Sequence, residues 1–242
     1  MSKEPLIIKK KKDKSFKDIV MEKLPDGGNL NACLTCGTCA AGCPATGLHG
    51  MDPRKVVRMA ALGMDEELKK TPWAWMCSMC QRCVHACPMN VNIPQLVYNM
   101  RQSWPREERP RGILRSCDAA LSTETRSAMG ARPEDFEFIV NDVAEAVREQ
   151  PGFETLQAPI DKKGAYFCLN QNSREPVTEP EELAPLWKIL HIVGADWTYP
   201  SKGWGGENYC MFLADDEAWK TLTKDALDQA VELGCKVFLN TE

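Results

Sequence analysis

The sequence predicts an α-helical domain followed by a partial α/β domain. Three observations carry this. Two cysteine runs of identical spacing stand within the first ninety residues, joined and followed by segments of helical pattern. From about residue 164 the pattern becomes strand, helix, strand, helix, strand. The stretch between is polar and proline-bearing at first, then helical. The expected divisions are a flexible N-terminal tail (1–28), the cysteine-bearing helical domain (29–104), a helical connector (105–163) and the partial α/β domain (164–242).

The bulk properties exclude several classes. With 242 residues the chain has room for one large domain or two smaller ones. Its 43% hydrophobic and 26% charged residues are ordinary for a globular protein, and a net charge of −4 argues against nucleic acid as a partner. No apolar run approaches the roughly 18 residues a spanning helix needs. The short apolar stretch Leu6-Ile7-Ile8 precedes its lysines instead of following them, unlike a secretory signal. A cytoplasmic protein is therefore expected, with any membrane association indirect. Lys9 to Lys14 reads as a solvated tail, the alternative being a patch that steers an acidic partner. Twelve cysteines without a secretory signal favour metal ligation over disulfides.

The cysteine spacing specifies the metal. The first run is Cys33-Leu-Thr-Cys36-Gly-Thr-Cys39-Ala-Ala-Gly-Cys43-Pro44; the second is Cys77-Ser-Met-Cys80-Gln-Arg-Cys83-Val-His-Ala-Cys87-Pro88. Both spell C-x2-C-x2-C-x3-C-P, and each cysteine of the second lies 44 residues after its counterpart. This is the run of two-cluster bacterial ferredoxins, in which the fourth cysteine ligates the other cluster. Two 4Fe–4S clusters are expected, one on Cys33, Cys36, Cys39 and Cys87, the other on Cys77, Cys80, Cys83 and Cys43. Three cysteines two residues apart wind around one cube. The fourth, beside a proline that fixes the chain's exit, points to its neighbour. Structural zinc takes paired C-x-x-C knuckles, which leaves the third cysteine of each run without a role. With every iron ligated by cysteine, electron transfer is the expected task and no catalytic residue is assigned.

Asp52 caps a helix opened by Pro53, with Val56, Val57 and Ala60 inward and Gly63 ending it. A short helix, 65–70, follows. Trp73 and Trp75 lead into the second run as packing residues that shield the clusters, the alternative being electron carriage or docking. His85 reads as a surface histidine, the alternative being proton coupling. Ile93-Pro94 opens a helix with Leu96, Val97 and Met100 inward. Helices, not hairpins, therefore join the cysteine runs.

After the connector begins at Pro105, Pro133 opens a helix to about Gln150, with Phe136, Ile139, Val140, Val143 and Val147 on one face. Residues 165–169 read as a buried strand. Thr178-Glu179-Pro180-Glu181 is a capping-box pattern for a helix carrying Leu183, Leu186, Trp187 and Leu190. A short strand at 196–199 precedes Gly203-Trp204-Gly205-Gly206, which lacks the ending of a phosphate loop. Asp215 caps a long helix with Trp219, Leu222, Ala226, Ala230 and Leu233 inside, and residues 235–239 form a strand. A parallel sheet follows from this order. The segment stops at a core strand and reads as half of a larger α/β domain, completed by a separate chain or cut short. Cys117, Cys168, Cys210 and Cys235 are scattered: buried free thiols, or a third cluster.

The two runs, Met51-Asp52-Pro53-Arg54-Lys55-Val56-Val57-Arg58-Met59 between them, Trp75-Met76-Cys77, and Val91-Asn92-Ile93-Pro94 together resemble the C subunit of heterodisulfide reductase and its relatives in quinone-interacting oxidoreductases, anaerobic glycerol-3-phosphate dehydrogenase and glycolate oxidase. The resemblance implies the fold class α + α/β, an α-helical two-cluster ferredoxin domain followed by a partial α/β cysteine-rich-type domain. From Gly164 onward the chain is similar to the first half of the cysteine-rich (CCG) domain of the B and D subunits. Cys168 matches that domain's first cysteine, while Trp204-Gly205-Gly206 stands where Cys-Cys-Gly is expected, which speaks against disulfide cleavage here. Residues 205–209 are similar to subunits of sulfite-reducing and sulfur-oxidising complexes of this kind.

The expected function is an electron-transfer subunit of a heterodisulfide-reductase-like complex. Its partners would be a flavin or iron–sulfur subunit on one side and a thiol/disulfide- or quinone-handling, cysteine-rich subunit on the other. The rival readings are a split disulfide reductase whose active cluster another chain completes, and a zinc-bound scaffold.

Overall fold

A computed structural model describes residues 14–171, 174–205 and 208–241, which divide between two compact units, Met1–Glu108 and Arg109–Glu242. The expected tail at 1–13 lies outside the described residues. Residues 14–28 depart from that expectation. Ser15 and Asp18 form a reciprocal capping box on helix α1 (Phe16–Lys23), each side chain accepting the other's backbone N–H at 3.2 Å. Phe16 and Val20 of α1 are buried in the first unit's core.

A turn through Pro25–Ala32 leads to the short α2 (Thr38–Ala41). The expected helix follows as α3 (Pro53–Ala61), where the Asp52 carboxylate accepts the Lys55 N–H at 2.8 Å. Then come α4 (Asp65–Lys70), a tight turn at Pro72–Trp75, α5 (Arg82–His85) and α6 (Ile93–Gln102). Val56, Val57 and Ala60 from α3, Leu68 from α4, Trp73, and Leu96, Val97 and Met100 from α6 make one apolar core. Burying each large aliphatic side chain contributes about 1.5–3 kcal/mol. Six of the eight expected ligands pack against this core (Cys33, Cys39, Cys43, Cys77, Cys83 and Cys87), so the apolar cluster is the floor on which the thiols stand.

The second unit opens with α7 (Arg111–Ser122) and α8 (Pro133–Arg148). From Arg109 onward the stretch read as a connector is thus part of this unit, and α8 supplies Phe136, Val140, Ala144 and Val147 to its main core. Strand β1 (Phe167–Asn170) is followed by α9 (Arg174–Thr178), α10 (Ala184–Ile192), β2 (Trp197–Thr198), α11 (Tyr209–Phe212), α12 (Asp216–Glu232) and β3 (Val237–Asn240). The sheet order is β2-β1-β3, all parallel, with Phe167 opposite both Trp197 and Val237. This agrees with the expected three-stranded parallel sheet.

Two details differ from expectation. Thr178 ends α9 and its hydroxyl donates to the Arg174 carbonyl, so it caps nothing; α10 instead grows out of a 3-10 turn at Pro180–Leu183. Trp219 is 41% exposed, because α12 turns its Ala218, Leu222, Ala226 and Ala230 face inward. The glycines at 203 and 205 serve close packing: Gly203 and Gly205 donate to the carbonyls of Glu124 and Thr125 at 3.0 and 2.9 Å. Between them Trp204 stacks on Phe136 at 4.4 Å.

Candidate metal centre

The two cysteine runs fold alike because they are spelled alike. Thr35 and Met79, just before the second cysteine of each run, both have φ 58°. Gly37 and Gln81, just after it, have φ 89° and 62°. A left-handed residue on either side of Cys36 and of Cys80 bends each loop around a volume. Three of these four positions are not glycine, and a β-branched residue such as Thr35 seldom adopts this region, so the loops hold backbone strain at the site. Each loop then enters a one-turn helix, α2 or α5, bearing the third cysteine. Each fourth cysteine opens a turn: the Thr46 N–H donates to the Cys43 carbonyl at 3.1 Å, and the Asn90 N–H to the Cys87 carbonyl at 3.0 Å.

The eight thiols gather around two cavities. One is lined by Cys77, Cys80 and Cys83 together with Cys43. The other is lined by Cys33, Cys36 and Cys39 together with Cys87. Each contains three cysteines of one run and the last of the other. Helices α2 and α5 pack together, which makes the cavities neighbours, and Cys83 feels the charge of Cys39 as well as of Cys77 and Cys43.

Electrostatics match this grouping. Burial, then mutual repulsion with Cys77, Cys39 and Cys43, pushes the Cys83 thiol up to about 12. Burial likewise raises Cys39, with Cys33 and Cys87 adding to the effect, and raises Cys77, with Cys43 and Cys80 adding. Cys36 goes the other way, because the Thr38 hydroxyl and backbone hydrogen-bond its exposed sulfur. Before metal is loaded, iodoacetamide is therefore expected to label Cys36 well ahead of Cys83, as read by peptide mass spectrometry at pH 8; equal labelling of the two contradicts this thiol order.

The donor set fits iron–sulfur clusters. Among the described residues, the side chains lining either cavity offer four cysteine thiols and no carboxylate or imidazole, and soft thiolate sets select iron–sulfur clusters, zinc or copper(I). Among the described residues no three Cys, His, Asp or Glu side chains converge on a point for one ion. The sulfurs are instead spread around a volume, as a cube requires. Each cavity also has an arginine in its wall, Arg82 or Arg54, suited to a net negative group.

The surroundings sort the other candidates. Trp73 is 1% exposed, lines the Cys43 cavity and donates its indole N–H to the Ala45 carbonyl at 2.8 Å. Trp75 meets Trp104 edge-on at 6.0 Å. Both tryptophans pack, as expected, and His85 is exposed. The four outlying cysteines fall into two pairs: Cys117 and Cys210 form a disulfide between α7 and α11, while Cys168 on β1 and Cys235 just before β3 lie thiol to thiol. The disulfide had no signal in the spacing, since 93 residues separate its halves. Burial and Cys235 push Cys168 up to about 12, which makes it a poor nucleophile. Arg101 was also missed. It is 2% exposed on the inner face of α6, and its position four residues after Val97 was the available clue.

Comparison with known proteins agrees with this geometry. Residues 29–91 match the family described as 4Fe-4S dicluster domain. The chain is 34% identical over 169 residues to the C2 subunit of the H(2)/formate:CoB-CoM heterodisulfide,ferredoxin reductase of Methanococcus maripaludis, covering 70% of this chain and 80% of that one. It is 35% identical over 169 residues to the iron-sulfur C subunit of the CoB--CoM heterodisulfide reductase of Methanopyrus kandleri, covering 70% and 78%. With the C subunit of the H(2):CoB-CoM heterodisulfide,ferredoxin reductase of Methanothermobacter marburgensis the identity is 34% over 94 residues, 39% of this chain; there the chain spans half the length of its relative. The longer matches cover more residues than the first unit holds, so the shared sequence runs on into the second. No described helix is long and apolar enough to cross a membrane. The first unit is a two-cluster 4Fe–4S domain, and the chain belongs to the family of heterodisulfide reductase C subunits.

Proposed function

We propose that the chain is an electron-relay subunit of a heterodisulfide-reductase-like complex. One cluster is held by Cys33, Cys36, Cys39 and Cys87, the other by Cys77, Cys80, Cys83 and Cys43. The observation that carries this is the mixed lining of each cavity, three thiols from one run and one from the other. Bound clusters supply one-electron storage and transfer. The chain's own residues do the rest: thiolates hold the metal, Trp73 and the aliphatic floor exclude water, and the neighbouring Cys39 and Cys83 bring the two sites close. Electrons would enter from a flavin or iron–sulfur partner and leave to a partner that handles disulfides or quinone. Relatives named as subunits of CoB-CoM heterodisulfide reductases support that placement.

The second unit would dock a partner. Its parallel sheet and the position of Cys168 are compatible with a partial CCG-type domain. The pairing of the outlying cysteines two by two favours docking over a third cluster within this chain. Anaerobic purification and iron analysis test the reading. About eight iron atoms per chain are expected, four for each cube, in a brown protein whose EPR signals appear on reduction. A colourless, iron-poor chain after reconstitution contradicts it, and a clear excess over eight points to a further site.

A further inference from the structure

We propose that Arg101 makes the site of Cys43, Cys77, Cys80 and Cys83 the more easily reduced of the two, and hence the one at which electrons collect. The inference rests on the crossed ligand assignment above only for the identity of the fourth thiol. Arg101 reaches back from α6 under the start of the second cysteine loop. Its Nε donates to the Ala74 carbonyl at 2.9 Å, Nη2 donates to the Cys77 carbonyl, and Nη1 lies 3.4 Å from the Met79 sulfur. The guanidinium sits over the Trp75 ring, 5.3 Å from its centre. Cys77 and Met79 both line the cavity. A positive charge is thus fixed at the back of this loop, 2% exposed and held by a fork of hydrogen bonds.

A guanidinium keeps its proton in proteins, so this charge is permanent. Adding an electron to a metal site makes it more negative, and a nearby cation favours that state. The gain depends on screening: a buried charge acts through a low effective dielectric, while an exposed one is largely screened by water and salt. Among the described residues, the cavity of Cys33, Cys36, Cys39 and Cys87 has one arginine in its wall, the exposed Arg54. The other cavity has an exposed arginine of its own in its wall, Arg82, and Arg101 stands behind that wall, bonded to the Cys77 carbonyl. The two exposed arginines offset each other, and the buried one breaks the symmetry. An electron arriving at the first site, which is then reoxidised, passes to the second, which is reduced.

The test is an EPR-monitored redox titration of the reconstituted full chain. Cys36→Ser and Cys80→Ser assign the two signals without reference to the fourth ligands. In the unmodified chain the Cys80-assigned signal should have the higher potential. In Arg101→Gln it should fall by at least a tenfold change in the reduction equilibrium, 59 mV for one electron, with the Cys36-assigned signal almost unmoved. Arg101→Lys, which keeps the charge and loses the fork, should recover most of that fall. The reverse order of potentials in the unmodified chain overturns the proposal, a readout that survives even where Arg101→Gln does not fold. Equal shifts of both signals, no shift, or a lysine variant matching glutamine overturn it as well. Failure of the crossed assignment shows separately, as Cys43→Ser altering the Cys36-assigned signal.

Discussion

Replacing Cys43 with alanine is expected to abolish the EPR signal assigned to the Cys77–Cys83 loop and to leave that of the Cys33–Cys39 loop intact. Iron should fall from about eight to about four atoms per chain. Cys43 belongs to the first run by sequence. However, after α2 the chain turns away through Pro44, and its sulfur meets the cavity of Cys77, Cys80 and Cys83. Without it that site keeps three thiols and an open corner, whereas the other retains all four. Cys87→Ala is the mirror experiment and should remove the Cys33–Cys39 signal. Loss of the wrong signal in either variant means that each run ligates its own cluster.

Gly205→Ala should destabilise the second unit while sparing the metal sites. A methyl group there would lie 2.2 Å from the Arg126 carbonyl oxygen and 2.7 Å from the Ser127 nitrogen. Both are backbone atoms in a buried turn, with Thr125 and Ser127 inaccessible to solvent, so neither yields as a side chain would. Moving that turn also disturbs the Arg126–Asp225 ion pair at 2.8 Å and the stacking of Trp204 on Phe136. A cost of about 3 kcal/mol, the upper end for overpacking, lowers the midpoint of this unit's thermal unfolding by on the order of 10 °C. Circular dichroism reads the transition and iron content reports on the first unit. An unchanged midpoint contradicts the close packing, and lost iron contradicts the separateness of the effect.

The site was legible where the chemistry is local. Eight cysteines at fixed spacing carry their own identity, and the 44-residue repeat of the sequence becomes a repeat of φ angles at Thr35 and Met79. Helices with strong signals came through: Asp52-Pro53 starts α3, and Asp215 caps α12 by accepting the Ala218 N–H. The misses share a cause, since each depends on contacts distant in sequence. Helix α7 hid behind Pro105 and Pro110, and its burial comes from α11 and α12, about a hundred residues on. The Thr178 pattern met capping statistics, but the turn at Pro180–Leu183 had already taken the chain elsewhere. Trp219 fits an apolar helix stripe by spacing, yet the inward face of α12 is built of alanines and Leu222, which pack closer than an indole. Arg101 defied the expectation that arginines face water, because the carbonyls of Ala74 and Cys77 supply what water would have.

The most direct measurement is an iron-edge anomalous map from crystals of the cluster-loaded chain. Two cubes are expected, with Cys43 Sγ bonded to the one that also binds Cys77, Cys80 and Cys83, and Cys87 Sγ bonded to its neighbour. A map in which Cys43 joins Cys33, Cys36 and Cys39 on a single cube, or in which isolated metal ions replace the cubes, contradicts the crossed two-cluster site.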